Sequence, residues 1–142
     1  MTTKTGLLVT YNEVDGMGVV HHSNYLLWFE KGRRDHLKKA GVSNSQIVSQ
    51  GFFLPLTELE CNFRSPARQG DTITVFTKIL SMSCVKLKFE YMVYDEKKGK
   101  LLATGKTVHA WTNQRIEPIN IEKAAPGIYQ RLKQFSDSQD IL

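Results

Sequence analysis

From Val85 to Val93 every second residue is apolar: Val85, Leu87, Phe89, Tyr91 and Val93 alternate with Lys86, Lys88, Glu90 and Met92. No other feature of the chain constrains its fold as tightly. A period of two places one set of side chains on one face of a strand and the other set on the opposite face, so this run predicts a half-buried strand. A second alternation precedes it, with Ile73, Val75, Thr77 and Ile79 between Thr72, Thr74, Phe76 and Lys78. Leu101 to Thr112 reads as another long strand, residues 57–64 as a shorter one, and residues 6–11 as a short strand near the start. The connections are brief. Ser65 to Asp71, with Pro66 and Gly70, reads as a turn, and Asp95 to Lys100, with Gly99, reads as a hairpin loop. Long consecutive strands joined by short turns pair antiparallel.

Such a sheet needs cover on its apolar face, and one segment is long enough to supply it. Ser23 to Ala40 carries Tyr25, Trp28, Phe29, Gly32, His36 and Ala40 at helical spacing, with Ser23 as the expected N-cap and Gly41 as the stop. Tyr25 to Phe29 is apolar nearly all round and the second half is charged outside, so the helix is expected to start deeply buried and emerge towards its end. Gly32 costs about 1 kcal/mol against alanine inside a helix, which predicts close approach to a packed sheet. Residues 42–56 read as a polar stretch ending in Gly-Phe-Phe-Leu-Pro. A last helix is expected over Glu122 to Phe135, with fraying from Ser136 to Leu142. The fold class is therefore α+β, in one domain over residues 1–142 with a core at about 5–115.

Composition removes some functional classes. The net charge of +5 suits nucleic acid, an anionic surface or a phosphorylated small molecule. The bases are scattered, without aromatic interleaving or a helix-turn-helix, so the expected partner is not nucleic acid. There is neither a secretory leader nor a run of about 18 apolar residues, which predicts a soluble cytoplasmic protein with no integral membrane segment. Cys61 and Cys84 lack metal or redox spacing and read as packed free thiols in strands. No metal site is expected.

The densest group of reactive side chains runs from Tyr11 through Asp15, His21 and His22 to Tyr25. It sets a carboxylate in a glycine-containing loop just before the long helix. The first turn of a helix has free N–H groups and a partial positive charge, which polarise an acyl carbonyl and stabilise its oxyanion. A carboxylate beside it can attack that carbonyl or activate water. The pattern fits an acyl-transfer site without a serine–histidine–aspartate triad, but by itself an aspartate in a glycine-containing loop is more often a turn residue, and adjacent histidines are more often structural or surface groups.

The stretch Tyr11-x-x-x-Asp15-x-x-Gly18-x-Val20-x-His22-x-Asn24-Tyr25, continued by Glu30 and Arg33, resembles the signature of the 4-hydroxybenzoyl-CoA thioesterase family. It is most similar to the acyl-CoA thioesterase branch typified by the bacterial Tol-Pal-associated thioesterase. The likeness continues through Phe63-Arg64-x-Pro66-Ala67-x-x-Gly70-Asp71 and Phe89-Glu90-Tyr91. It implies the hotdog fold, a long central helix wrapped by a curved antiparallel sheet. It also implies a homo-oligomer (a dimer joined sheet edge to sheet edge, often paired into a tetramer) with active sites between subunits.

The family's catalytic carboxylate falls on Asp15, and the backbone N–H that polarises the thioester carbonyl falls on His22, whose imidazole is implicated as well. Tyr11, Gly18, Asn24 and Tyr25 are the matching loop and substrate-binding positions. Glu30 reads as structural, and His21, His36 and His109 receive no catalytic role. The basic run that holds nucleotide phosphates in some relatives is missing from Ser81 to Lys86, which leaves Arg64, Arg68, Lys86 and Lys88 as candidates. The activity implied is hydrolysis of an acyl-CoA or related thioester to the free acid, with no cofactor beyond the coenzyme A of the substrate. A non-catalytic acyl-CoA binder on the same fold is the alternative. So is an enzyme specific for aryl-CoA, whose pocket Trp28, Phe52 and Phe53 would line.

Overall fold

The alternating segments form strands. In the computed structural model, which describes residues 1–138, a five-stranded antiparallel sheet has the order β1-β3-β4-β5-β2. The strands are β1 (Thr3–Leu8), β2 (Leu56–Phe63), β3 (Thr72–Met82), β4 (Lys86–Asp95) and β5 (Lys100–Ala110). The two runs with period two behave as expected: Ile73, Val75, Thr77 and Ile79, and Leu87, Phe89, Tyr91 and Val93, are all buried. Register shifts at Leu56/Glu58, Ile79/Ser81 and Val93/Tyr94 interrupt the ladders. Irregularities of this kind bend and twist a strand, which curves the sheet.

Helix α1 (Ser23–Lys39) lies on the buried face with Tyr25, Trp28, Phe29, Gly32, His36 and Leu37 inward. Gly32 marks the close approach. A Cβ there would overlap the Thr77 hydroxyl and sit 3.1 Å from Val75 Cγ1, so the neighbours it spares are sheet side chains rather than backbone. A long helix cradled by one curved antiparallel sheet is the hotdog fold. No helix among the described residues is long and apolar enough to cross a membrane.

Several boundaries differ from expectation. The first strand is Thr3–Leu8 rather than 6–11, because it pairs with β3 from Thr3↔Thr77 to Leu8↔Thr72, after which Tyr11–Glu13 turns as a 3-10 helix. His22, not Ser23, is the N-cap. It holds a helical conformation with no side-chain cap, while the Ser23 N–H and hydroxyl both turn to His21 Nδ1. The start of α1 is not buried all round, since Leu26 and Leu27 are 40% and 53% exposed.

The polar stretch 42–56 contains a further helix, α2 (Asn44–Ser49), whose capping box joins Ser43 and Gln46. The expected last helix is two, α3 (Ile121–Ala124) and α4 (Pro126–Asp137), because Pro126 opens a new first turn after Ala125 leaves helical geometry. Cys84 and Val85 occupy the turn between β3 and β4 rather than a strand. Of the tail expected to fray, Ser136 and Asp137 are helical, and residues 139–142 lie outside the described residues.

Candidate active site

The chain from Thr10 to His22 is a small hairpin that leads into α1. Thr10 caps the turn Tyr11–Glu13. The hairpin is then closed by the bridge Val14↔Val20, by Asp15 N–H donating to Val19 O at 2.8 Å, and by His21 N–H donating to Glu13 O at 2.9 Å. Gly18 has φ +79, a left-handed conformation that L side chains rarely adopt, and its N–H closes the tip on Asp15 O at 3.1 Å. The outer limb is fastened to the turn after β2: Val20 N–H donates to Ala67 O at 2.8 Å, and Val19 bridges Arg68.

Asp15 is half-buried at the hairpin tip. Its Oδ1 accepts the Met17 N–H at 2.8 Å. His22, at the N-cap of α1, has a backbone N–H with no acceptor among the described residues. A donor left free at the positive end of a helix is suited to an oxyanion.

Beside it lies an open cleft of about 300 Å³ lined by Val19, Val20, His22, Tyr25, Phe63, Arg64, Ser65 and Pro66. Tyr25 and Phe63 meet edge to face at 5.0 Å and make an aromatic wall. Burial pushes the Tyr25 hydroxyl above its ordinary pKa against the opposing hydrogen bond from the Ala67 backbone, so this wall is neutral. Arg64 is the one phosphate candidate on the cleft; Arg68, Lys86 and Lys88 are not among its walls.

The structure therefore brings His22 and Tyr25 together on one cleft, and Asp15 and Gly18 lie on the hairpin whose Val19 and Val20 line it without being among its walls themselves. Tyr11 is 73% exposed on the turn before the hairpin. Asn24 spends both amide hydrogens within the loop, on Glu13 O at 3.0 Å and His21 O at 3.2 Å. Trp28 is in the core, and Phe52 packs against the core, so neither lines this cleft. Glu30 pairs with Arg34 at 2.8 Å on the helix surface. Among the described residues no group of three or more His, Cys, Asp or Glu side chains is arranged to hold a metal ion.

Sequence reasoning gave Glu13 no positioning role. Its carboxylate accepts the Thr10 N–H at 2.9 Å, the Thr10 hydroxyl at 3.1 Å and the Trp28 indole N–H at 2.8 Å. The Thr10-x-x-Glu13 spacing is a capping-box signal that was there to be read. The bond to Trp28, which lies beyond the hairpin, has no local signal.

The family model of the Thioesterase-like superfamily matches residues 9–134. The chain belongs to that superfamily. This thioesterase-like chain is 30% identical over 125 residues to the Bacillus subtilis (strain 168) protein named "Putative acyl-CoA thioesterase YneP", a match covering 87% of this chain and 90% of that one. Among solved structures, the hypothetical protein TT1821 from Thermus thermophilus is 38% identical with a TM-score of 0.86, over 95% of this chain and 98% of the other. The DHNA-CoA thioesterase from Staphylococcus aureus is 28% identical with a TM-score of 0.89, over 99% and 97%. The superfamily match includes the whole hairpin and α1, so the candidate site lies inside the shared fold.

Proposed function

We propose that this thioester hydrolase cleaves an acyl-CoA to the free acid and coenzyme A, with Asp15 as the catalytic carboxylate and the His22 N–H as the oxyanion donor. The observation that carries the reading is the hairpin, which ends in an N-cap with a free N–H and holds one carboxylate at its tip. Attack on the thioester carbonyl moves negative charge to the carbonyl oxygen, where the His22 N–H and the dipole of α1 stabilise it. Collapse of that intermediate breaks the C–S bond and releases the thiolate of coenzyme A, which takes up a proton. Asp15 can take the proton of an attacking water, or attack directly and form an anhydride that water then opens. A single turnover in oxygen-labelled water separates these routes: label entering Asp15 marks the anhydride, and label confined to the product acid marks general base catalysis. The His22 imidazole orients the water or donates to the substrate. Gly18, Tyr11, Asn24 and Tyr25 shape the loop and the acyl cleft, and water and these side chains carry the reaction without a cofactor.

The Tyr25–Phe63 wall supports a second reading of the acyl group, a flat aromatic one, within the same reaction. The proposal includes a cytoplasmic homo-oligomer, a dimer or tetramer. The two free cysteines of the chain suit a reducing compartment, and Phe63, at the end of edge strand β2, is one wall of the cleft.

Thiol release from a panel of acyl-CoAs, aliphatic C2 to C16 plus benzoyl types, tests this directly. Wild-type protein should release thiol from at least one of them, and Asp15→Asn should lose about 100-fold or more of that turnover. Release unchanged in Asp15→Asn would move catalysis away from Asp15. Tight acyl-CoA binding with no release would favour the non-catalytic binder.

A further inference from the structure

We infer that Glu13 is a positioning residue for the reaction: it clamps the Asp15 hairpin to helix α1 and so holds the carboxylate in register with the helix N-terminus. The inference rests on the reading of Asp15 and His22 given above. Glu13 collects five donors. Its Oε1 takes the Thr10 N–H and hydroxyl, at 2.9 and 3.1 Å, and its Oε2 takes the Trp28 indole N–H at 2.8 Å. Its backbone carbonyl takes the His21 N–H at 2.9 Å and the Asn24 amide at 3.0 Å. These partners come from the chain just after β1, from the opposite limb of the hairpin, and from two successive turns of α1. Trp28 is a buried post, 1% exposed and packed on Tyr25 with ring centroids 4.6 Å apart.

The clamp sits next to the chemistry. The hairpin bond from His21 to Glu13 is followed at once by the bond from Asp15 to Val19. A shift of Glu13 is therefore passed to Asp15 through two peptide units, while His22 stays with the helix. Positioning of reacting groups is steep, with a misplacement of about 1 Å costing on the order of 100-fold in rate.

The site also asks for a carboxylate rather than an amide. All three side-chain partners are donors, and an ionised carboxylate has only acceptors to offer. An amide in its place turns an N–H onto either the indole N–H or the Thr10 N–H. Burial works against the ionised form of Glu13. The Thr10 backbone, the Trp28 indole, the Thr10 hydroxyl and the charge of Lys31 outweigh it and hold the pKa below the ordinary carboxylate value.

The test compares the full-length protein with Glu13→Gln, Trp28→Phe and the double variant, using benzoyl-CoA and hexanoyl-CoA as substrates and amide hydrogen exchange over residues 14–22 as a second readout. Glu13→Gln should fold, with kcat reduced about tenfold or more, KM within about threefold of wild type, and faster exchange across the hairpin. Trp28→Phe, which keeps a ring but removes the donor, should show the same pattern to a smaller extent. The double variant should be no worse than Glu13→Gln, because both changes cut one link. A Glu13→Gln protein with kcat within about twofold of wild type and unchanged exchange would overturn the inference. Should that variant fail to fold, Trp28→Phe decides, and unchanged kcat and exchange there overturn it equally. If Asp15→Asn keeps full turnover, the catalytic reading alone fails, and exchange in Glu13→Gln still decides whether the clamp exists.

Discussion

His109, on β5, ends a chain of buried hydrogen bonds whose direction can be assigned. The Leu54 carbonyl, 3.0 Å from Nδ1, can only accept, so Nδ1 carries the proton of a neutral ring and Nε2 accepts from the Thr107 hydroxyl at 3.0 Å. Thr107 then accepts from the Tyr91 hydroxyl at 2.6 Å, and Tyr91 accepts from the Arg33 guanidinium at 3.1 Å. Burial, with the nearby Arg33 charge, pushes the His109 pKa down to about 4, against the pull of the Leu54 carbonyl. The folded state thus binds fewer protons at this site than the unfolded chain between about pH 4 and the ordinary histidine value of about 6.5. Stability should therefore fall as pH drops through that window, and thermal melts from pH 7 to 4.5 should show it. His109→Asn, which keeps a donor for Leu54 and cannot charge, should flatten the slope over the same range. An unchanged slope would place the acid sensitivity elsewhere. The depressed carboxylate of Glu13 contributes its own loss at lower pH, as its folded pKa is approached.

Helix α1 is seated on the sheet by two glycines, one on each partner. Gly32 makes room for Thr77 from the helix side. Gly105 makes room from the sheet side, because a Cβ there would overlap the ring of Phe29, which also stacks on Tyr91 at 4.4 Å. The two sites differ in how strain can be relieved. At Gly32 the obstruction is chiefly one atom, the Thr77 γ-oxygen, which can move only if that buried side chain changes its χ1 rotamer. At Gly105 the added methyl also meets the Glu60 backbone carbonyl at 3.1 Å. Gly105→Ala should cost about 1–3 kcal/mol and lower Tm by several degrees, as expected for overpacking. Gly32→Ala should cost less, since it recovers about 1 kcal/mol of helix propensity. Thermal melts of both variants check the order, and equal or reversed costs would mean that the helix seat adapts more easily than its contacts indicate. At this scale the strand pattern and the long helix were legible from periodicity. The six-residue α2 was not, being too short to show a helical repeat.

For the whole molecule, the open question is the outer edge of β2. Among the described residues that strand pairs only with β5, and it presents Leu59 at 43% and Phe63 at 54% exposure. Leu26 and Leu27 add exposed apolar surface from the start of α1. An unpaired edge with apolar side chains is an invitation to a second strand, which natural proteins blunt with charge when it is to stay free. Here the edge carries Glu58 and Glu60 among its apolar residues, and its Phe63 end, beside the candidate cleft, is the part that supports the proposed dimer. Leu59→Lys should lower the mass measured by light scattering towards that of one chain and reduce turnover in parallel. A monomeric wild-type protein with full activity would overturn the dimer and leave the cleft complete within one chain.

The sequence by itself determined which faces of the long strands are buried, where the long helix runs, and that a carboxylate and a helix start share one motif. These are local properties, because a repeat of two or of about 3.6 residues reports which way successive side chains point along a single element. Only the tertiary structure decided that β2 lies on the far edge beside β5, that Phe63 closes on Tyr25, and that Glu13 reaches Trp28. The same holds for the buried chain that joins Arg33, Tyr91, Thr107, His109 and Leu54. Arg33 and Tyr91 are 58 residues apart in sequence, and His109 and Leu54 are 55 apart. Contacts over such separations follow from strand order and from packing the helix against the sheet, and no periodicity along the chain encodes them.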